Sequence, residues 1–447
     1  MKRTYKVLSL FLILAVLMGV IFSTSAFATG INDFTINNDH DVIGYKGKGG
    51  NIAIPQGVLF ISQNAFGGNR SLISVSIPSS VKYIDNSSFA ACDNLISISV
   101  DSKNTEYCSV DGVLYTKNRN MLLCYPCKKG GIFNIPSTVT IIDGQAAAGS
   151  NGLVGLTIPN SVKVIGDWAF EDCKGLKSAT IGNGVTYIGS RAFEGCTNLA
   201  NINIPSSVTT LGYNAFSECI GLNNITIPGN TTSIGVAAFE GCSGLTNIII
   251  SSGVEQIDNV AFYGCTGLTT VTIPNTVTSI GYMAFSGCTG LSGVMIPNSV
   301  TSIDDDVFKD CDGVTISGYE NTAAQTYAAK YNIPFISLGV APTLPKSTLT
   351  LDTTSYVVAP RATYEIGAKL TGFSKSVKVY SSSSDIAKVE KLENGNYKVT
   401  GLKSGTTYIM FDVYNSVGSK VSHASVRITV QNGAKSHGDS THQIAVF

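Results

Sequence analysis

The chain has 447 residues, and only 13% of them are charged, about half the share that is usual in soluble proteins. Thirty basic residues balance thirty acidic ones, so the composition excludes the concentrated positive charge that nucleic-acid binding requires. Hydrophobic residues make up 44% of the chain, while Gly, Ser, Thr and Asn take the place of charged residues. This mixture favours pleated, half-exposed β-strands over a helix-rich enzyme.

The first 28 residues have the pattern of a secretory signal peptide. Lys2, Arg3 and Lys6 form a basic start, an apolar run follows from Val7 to Phe22, and residues 26–28 (AFA) offer a cleavage site. The alternative is an uncleaved membrane anchor, but the apolar run is short for a spanning helix. We therefore expect a signal peptide at residues 1–28 and a mature chain that is secreted or associated with the cell wall.

Phenylalanine recurs every 23 residues along most of the chain. The series consists of Phe66, Phe89, Phe170, Phe193, Phe216, Phe239, Phe262, Phe285 and Phe308. A degenerate unit with Ala147 in the phenylalanine position lies between Phe89 and Phe170, together with an insertion. The resulting ten units share the consensus L-x-x-V-x-I-P-x-S-V-x-x-I-G-x-x-A-F-x-x-C-x-x-L. A fixed period of this length indicates a solenoid.

Each part of the unit has a physical role. Residues 268–273 (LTTVTI) alternate apolar and polar side chains, which predicts a half-buried strand that Pro274 ends. Val277 and Ile280 predict a second segment that faces inward. Gly281 predicts a backbone turn that other residues resist. Because one coil buries its apolar face only against its neighbours, the array is stable only as a stack.

One cysteine occupies the same position in eight of the units. This series consists of Cys92, Cys173, Cys196, Cys219, Cys242, Cys265, Cys288 and Cys311. Free cysteine is among the most buried residue types and fits a packed interior position. Disulfides between neighbouring coils are the alternative, since coils about 4.8 Å apart are close enough in principle. Stacked side chains point in parallel, however, and seven consecutive cysteines cannot all pair, so we predict a structural ladder of reduced, buried thiols.

Two outward-facing strand positions carry hydroxyl and amide side chains and form a candidate ligand face. Its members are Thr180, Asn201, Asn203, Asn224, Thr226, Asn247, Thr270 and Thr272. Such a neutral surface can bind a protein or a polymer through many weak hydrogen bonds. Small polar residues that merely tolerate a crowded face are the alternative, and the sequence leaves the two open. Aromatic residues for sugar stacking are absent from both positions.

The units resemble those of the BspA-like leucine-rich-repeat family of bacterial surface proteins, whose repeats read much like IPNTVTSIGYMAFSGCTGL at residues 273–291. The resemblance covers about residues 31–338. It extends to an N-terminal cap at residues 34–55 and a closing unit at residues 314–338. Within that closing unit, an Ala-rich helix in residues 321–332 would cover the edge of the last coil. The resemblance implies a mostly β fold, with a leucine-rich-repeat solenoid of about ten coils at residues 29–338.

An insertion at residues 101–131 interrupts the repeat. Its apolar stretches SVDGVLY and MLLCYP flank the polar TKNRN, which predicts a β-hairpin budding from the solenoid. The resembling family often carries a similar hairpin. The insertion contains Cys108, Cys124 and Cys127, and the last two match a C-x-x-C pattern. No βαβ setting for redox chemistry is visible and no His is near for zinc, which leaves a structural disulfide or free thiols.

Composition changes beyond residue 338. Residues 339–347 form a short Pro-containing linker. Residues 348–432 contain seven short alternating stretches, which predict a β-sandwich: TLTLD, ATYEIGAKL, SVKVYS, IAKVEKL, NYKVTGL, TTYIMFDVY and ASVRITV. This segment resembles bacterial immunoglobulin-like domains of the group 2 type, although Tyr380 stands where those domains often carry Trp. The tail at residues 433–447 would add one edge strand or stay mobile.

Side chains suited to catalysis are sparse. The four histidines are His40, His423, His437 and His442, so none can build a catalytic triad or a metal site inside the solenoid. The one acidic cluster consists of Asp304, Asp305, Asp306, Asp310 and Asp312. A solvated turn is favoured there over a calcium site. The sequence predicts no enzyme, no cofactor and no metal.

The leading hypothesis is a non-catalytic secreted or cell-surface protein that recognises a protein or matrix ligand through the solenoid. The alternative is a carbohydrate-binding or scaffolding accessory of secreted polysaccharide-degrading machinery. Neither a nucleic-acid partner nor membrane insertion after signal removal is predicted. The functional part of the hypothesis depends partly on family analogy.

Overall fold

A computed structural model describes residues 30–341, 348–351, 355–371, 376–414, 420–431, 437–438 and 442–445. The predicted signal peptide and most of the predicted linker lie outside these residues. Of the described residues, one compact unit contains 30–296, 303–317 and 328–335. The second unit contains 297–302, 318–327 and the described residues from 336 onward.

The repeat-bearing part of the chain is built of short strands, preceded by a 3-10 helix at Ile31–Asp33 and interrupted near its end by helix α1 (Ala323–Lys330). The strands are β1 (Phe34–Ile36), β2 (Asp41–Tyr45), β3 (Gly50–Ala53), β4 (Phe60–Ile61), β5 (Leu72–Ile77), β6 (Tyr83–Ile84), β7 (Ser97–Val100), β8 (Tyr107–Val110), β9 (Val113–Thr116), β10 (Met121–Cys124), β11 (Gly131–Asn134), β12 (Ile141–Ile142), β13 (Leu153–Ile158), β14 (Val164–Ile165), β15 (Ser178–Ile181), β16 (Tyr187–Ile188), β17 (Asn201–Ile202), β18 (Thr210–Leu211), β19 (Asn224–Ile227), β20 (Ser233–Ile234), β21 (Asn247–Ile250), β22 (Gln256–Ile257), β23 (Thr270–Thr272), β24 (Ser279–Ile280), β25 (Gly293–Met295), β26 (Ser302–Ile303), β27 (Thr315–Glu320) and β28 (Phe335–Val340).

The first side of each coil contributes one strand to a stack of thirteen, which confirms the mostly β solenoid. The strand orders in its three sheets are β3-β5-β7, β11-β13-β15-β17 and β19-β21-β23-β25-β27-β28. The sequence predicted about ten coils because only ten units carry the phenylalanine position. The strands β7, β27 and β28 extend the stack without that position.

A second side of each coil contributes two-residue strands to further parallel sheets. They have the orders β4-β6, continuing from the β1-β2 hairpin, β18-β16-β14-β12, and β20-β22-β24-β26. Val277 and Ile280 face inward and are fully buried, as the alternation predicted.

Aromatic rings stack along the interior of the array. The rings of Phe193 and Phe216 have centroids 5.3 Å apart and planes within 2° of parallel. Stacked neighbours continue from Phe216 through Phe308 at 5.2 to 5.6 Å. The period of the sequence therefore becomes a column of buried rings in the fold.

The repeat requires glycine at position 281 for a different physical reason from the one the sequence predicted. Gly281 has no left-handed φ, but a Cβ there would lie 2.6 Å from Asn259 Oδ1 and 2.7 Å from Asn259 N. The neighbouring coil therefore leaves no room for a side chain. The left-handed residue of this turn is Met283, with φ of 53°.

The degenerate unit at Ala147 is hydrogen-bonded to the insertion. Tyr125 is fully buried, and its amide donates to Ala146 O at 2.6 Å. Its ring lies 4.6 Å from that of Phe133, and its hydroxyl donates to Gly130 O at 2.9 Å. The insertion thus places a large buried aromatic side chain in the coil that precedes the degenerate unit.

The insertion forms a three-stranded meander and not a single hairpin. The strands β8, β9 and β10 pair antiparallel in sequence, and β10 then pairs parallel with β12 of the second side. The apolar stretch SVDGVLY is broken by a turn at Asp111 and Gly112, which have φ of 49° and 77°. Asp-Gly with two positive φ angles is typical of a tight hairpin turn. The sequence interpretation treated this stretch as continuous and missed β8.

Helix α1 confirms the Ala-rich helix expected within residues 321–332. Just beyond it, the Tyr331 hydroxyl donates to Asp305 Oδ1 at 2.8 Å, and Lys330 forms an ion pair with the same carboxylate. These contacts hold the end of the helix against a turn of the last coil. Among the described residues, no helix is long and apolar enough to span a membrane.

The described residues of the C-terminal part contain eleven more strands, β29 (Thr348–Leu351), β30 (Ser355–Val358), β31 (Thr363–Ile366), β32 (Ala368–Thr371), β33 (Ser376–Ser381), β34 (Ala387–Lys391), β35 (Tyr397–Gly401), β36 (Gly405–Tyr414), β37 (Lys420–Val430), β38 (His437–Gly438) and β39 (His442–Ala445).

These strands form three sheets, with orders β33-β36-β37-β30-β38, β31-β35-β34 and β32-β29-β39. Their buried side chains, which include Phe411, Ile409 and Val426, form one core. The sequence interpretation missed β30, and it merged β31 with β32 across Gly367. The tail contributes β38 and β39, one strand more than the predicted edge strand. The immunoglobulin-like assignment stays a prediction.

Candidate ligand-binding face

The eight candidate residues are all exposed. Seven lie on β15, β17, β19, β21 and β23, and Asn203 directly follows β17. Parallel register aligns Asn224, Asn247 and Thr270 in one column. In the next column Thr226 lies opposite Ile249, which lies opposite Thr272. The fold therefore brings candidates that are 23 residues apart in the sequence onto adjacent strands.

The face is not purely polar. Ile249 on β21 is 53% exposed, and Met295 on β25 is 39% exposed. The residues between the exposed ones point inward, as shown by Ile248 and Val271, which are almost completely buried. The pleat thus anchors each strand through one set of side chains and presents the other set to solvent.

Most candidate side chains make no hydrogen bond within the described part of the chain, whereas neighbouring hydroxyls are occupied. Thr186 Oγ1 donates to Lys163 O at 3.3 Å, and Thr209 Oγ1 donates to Thr186 O at 3.2 Å. These hydroxyls join one coil to the one before it. The candidate Thr and Asn side chains, Asn203 excepted, remain available to a ligand.

Asn203 differs from the other candidates because its carboxamide pairs with the backbone. Its Oδ1 accepts from Ile181 N at 3.0 Å, and its Nδ2 donates to Ile181 O at 2.9 Å. The side chain takes the position that a strand backbone occupies elsewhere in the sheet. Alternation alone could not distinguish Asn203 from Asn201, so this structural role was missed.

A shallow notch of about 300 Å³ lies at this point of the face. It is lined by Ser178, Ala179, Thr180, Asn201, Ile202, Asn203 and Asn224. Four of these residues, Thr180, Asn201, Asn203 and Asn224, belong to the candidate ligand face. The lining contains hydroxyls and carboxamides but no ionisable side chain, so it suits an uncharged group that both donates and accepts hydrogen bonds.

The cysteine ladder has a hydrogen-bonding role that the sequence interpretation did not foresee. All eight ladder thiols are buried, and each Sγ donates to the carbonyl oxygen 26 residues earlier at 3.1 to 3.2 Å. Cys242, for example, reaches Phe216 O at 3.1 Å. Burial raises the pKa of the Cys242 thiol to about 12. The constant spacing from Phe to Cys was the available signal.

The insertion cysteines are free thiols, as are the ladder cysteines. Cys127 Sγ donates to Ala148 O at 3.3 Å, and burial raises its pKa to about 11. Burial also raises the pKa of Cys124 well above its ordinary value. Cys108 is less buried and donates to Thr116 O at 3.3 Å. Raised pKa values suppress the thiolate that redox chemistry at the C-x-x-C pair would need.

No group of three or more His, Cys, Asp or Glu side chains in the described residues is arranged to hold a metal ion. Asp305 of the acidic cluster instead binds Lys330 and Tyr331, and these contacts lower the pKa of its carboxyl. Asp306 forms an ion pair with Lys309 at 3.9 Å. The cluster behaves as a charged turn.

A second set of carboxylates lies on adjacent coils. Burial raises the pKa of Glu171, Glu194 and Glu240, and neighbouring carboxylates raise it further. Arg191 partly offsets this effect through its ion pair with Glu194 at 3.4 Å. These groups are sensitive to pH without forming a site of their own.

The family model of the BspA type leucine rich repeat region matches the chain in six copies, over residues 23–110, 123–246 and 211–328. No curated protein matches the chain. The match of the family model covers well over half of the sequence and coincides with the repeat array. It does not reach the C-terminal sheets.

Among solved structures, a leucine-rich repeat protein from Eubacterium ventriosum is 30% identical, with a TM-score of 0.51. The match covers 53% of this chain and 64% of that chain, so this chain spans less than two thirds of that protein. A leucine-rich repeat protein from Bacteroides ovatus is 23% identical over 70% of this chain and 79% of that chain, with a TM-score of 0.47.

A leucine-rich cell surface protein from Faecalibacterium prausnitzii is also 23% identical. That match covers 68% of this chain and 97% of that chain, with a TM-score of 0.38.

Proposed function

The chain belongs to the family with BspA type leucine-rich repeats, and we propose that it is a non-catalytic surface or secreted protein that binds a protein or matrix ligand through its exposed strand face. Repeat proteins of this kind bind other proteins in general, and BspA-like members are typically secreted or at the cell surface. Stacked repeats also provide extended surfaces that suit large ligands.

The observation that supports this function best is the pair of aligned exposed columns. Asn224, Asn247 and Thr270 repeat one neutral, hydrogen-bonding group per coil, and their side chains are not used within the described residues. Each contact is weak, because a hydrogen bond exchanged with water contributes only about 1 kcal/mol. Many repeats acting together give useful affinity and favour a large partner over a small metabolite.

The C-terminal domain, an immunoglobulin-like fold of the group 2 type in this proposal, acts as a spacer or a second adhesive module. Residues 1–28 direct secretion and are then removed. The ladder thiols Cys92, Cys173, Cys196, Cys219, Cys242, Cys265, Cys288 and Cys311 stabilise the scaffold and take no part in binding.

A pull-down with the mature chain, residues 29–447, tests the function. One panel holds matrix proteins such as fibronectin, and the other holds insoluble polysaccharides and cell-wall material. Saturable binding to a protein supports the proposal. Retention by a polysaccharide alone would favour the role of a carbohydrate-binding accessory instead. Binding to neither panel would rule out the adhesion function.

A further inference from the structure

The strand stack of the array is interrupted once within its regular coils. The sheet on the first side ends at β17 and resumes at β19, and the sheet on the second side ends at β18 and resumes at β20. The same two coils stay joined elsewhere, because Phe216 N donates to Ala238 O at 2.8 Å and Asn214 N donates to Val236 O at 3.0 Å. Both ladders therefore open at one level while the coils remain stacked.

Side-chain hydrogen bonds distinguish the two coils that meet at this opening. The Asn203 carboxamide bonds to Ile181 and replaces backbone pairing, so β17 is only two residues long. Ile202 is consequently half-buried, whereas its counterpart Ile225 is almost fully buried. On the adjoining coil Thr231 replaces the usual Val, and its buried hydroxyl donates to Val208 O at 3.0 Å.

The notch described above lies at this interruption. Asn201 and Thr180 line it from one side of the break, and Asn224 lines it from the other. Within the described residues, the carboxamides of Asn201 and Asn224 have no hydrogen-bond partner. The half-buried Ile202 gives the notch an apolar floor.

Asn203 shows what an asparagine at this notch recognises. Its carboxamide binds both the N–H and the C=O of one residue of an extended strand, at 3.0 and 2.9 Å. Asn201 and Asn224 carry the same group in exposed positions beside it. A carboxamide offers one acceptor and two donors, which complement a peptide backbone.

We propose that the notch binds an extended, uncharged polypeptide segment of a partner protein, with Asn201 and Asn224 pairing with its peptide groups. This inference rests on the proposed function and narrows it to one site and one ligand chemistry. Hydrogen bonds to the main chain of an extended peptide are an established source of affinity, as in the addition of a peptide strand to a sheet edge. A neutral sugar is less suited, because no aromatic side chain lines the notch for stacking.

The test uses the mature chain and a peptide amide of sequence Thr-Gln-Thr-Gln-Thr that carries a fluorophore on its N-terminus, and binding is followed by fluorescence polarisation. We expect the double variant N201A/N224A to bind this peptide at least about tenfold more weakly, since several hydrogen bonds are lost. The matched control S243A/T266A changes two exposed turn residues that belong neither to the notch nor to the strand face, and its affinity should stay within about twofold. Both variants alter only exposed side chains, so circular dichroism should be unchanged.

Three outcomes would overturn the inference. The peptide fails to bind at millimolar concentration, both double variants weaken it equally, or maltotriose binds in its place with the same dependence on Asn201 and Asn224. These results are distinguishable from failure of the proposed function. If a protein ligand found by pull-down binds the N201A/N224A variant as tightly as the original chain, the adhesion function stands. Only the assignment of the notch as the binding site is then wrong.

Discussion

The interior and the exposed face of the array carry the same 23-residue period, yet they use it in opposite ways. Inside, almost every unit repeats the same Phe and Cys, and the rings stack with centroids 5.2 to 5.6 Å apart. Outside, aligned positions differ, so Thr226 is followed by Ile249 and then by Thr272. The uniform interior columns define the fold, and we propose that the exposed columns, whose residues vary, set the ligand preference.

The largest expected effect is in the ring column. Phe239 is fully buried between Phe216 at 5.4 Å and Phe262 at 5.5 Å, and Phe239→Ala removes the contacts to both coils. We expect a loss of about 3–5 kcal/mol in the free energy of unfolding, measured by urea denaturation. The control Thr226→Ala, on the exposed face, should change it by no more than about 0.5 kcal/mol. Equal losses in the free energy of unfolding for the two variants would contradict the claim that the interior column, and not the exposed face, stabilises the fold.

A smaller effect is expected in the thiol column. Cys242→Ala removes the donor to Phe216 O and leaves that carbonyl without its thiol, which should cost about 1–3 kcal/mol in the same assay. Cys242→Ser retains a donor and should cost less. Ser150 occupies the cysteine position of the degenerate unit and donates to Tyr125 O at 3.3 Å, which supports this expectation. If Cys242→Ser is less stable than Cys242→Ala, the hydrogen bond is not the main contribution of the thiol column to stability.

Thiol reactivity sharpens the same comparison. In the native chain at about pH 8, Cys108 should react first with a disulfide reagent, because it is more exposed than the ladder thiols. The ladder thiols should react only on unfolding, since burial raises the pKa of Cys92 to about 12 and that of Cys311 to about 11. Unfolding without reductant should then reveal all eleven thiols. A shortfall would mean that disulfides are present.

The smallest effect concerns pH. Burial and like charges raise the pKa of Glu171, Glu194 and Glu240 above 4.5, so the folded chain binds more protons than the unfolded chain just above that pH. Their contribution to stability is therefore present in mild acid and is lost as pH rises through the folded pKa values. Melting temperature should fall slightly from about pH 5 to pH 7. Replacing all three with Gln should flatten that slope, and an unchanged slope would rule them out.

The sequence correctly predicted the features that follow from the repeat period, namely which residues face the interior and which are exposed. Phe239 and Cys242 were placed in the interior, and Thr270 and Thr272 were placed on the exposed face, because inward and outward positions alternate along a strand. The alternation gives no information on hydrogen bonds between coils. It therefore predicted the same exposed, ligand-facing role for Asn203 and Asn201. Such bonds depend on atoms 22 to 26 residues apart, and their geometry exists only once the coils stack.

Segments outside the period were predicted less well. The Asp111–Gly112 turn splits one apolar stretch into β8 and β9, and Gly367 divides β31 from β32. Strand signals there are short and have no repeated neighbours against which to align them. The immunoglobulin-like resemblance in this region remains a prediction for the same reason.

The most direct test of the central claim compares two matched lysine variants for binding to the partner found by pull-down. Asn247→Lys with Thr270→Lys alters the exposed face on adjacent coils, while Ser243→Lys with Thr266→Lys alters exposed turn positions of the same coils. Both add the same charge, and neither touches the notch. Our prediction is at least about tenfold weaker binding for the face variant and an unchanged dissociation constant for the turn variant. Equal binding by both variants would contradict it.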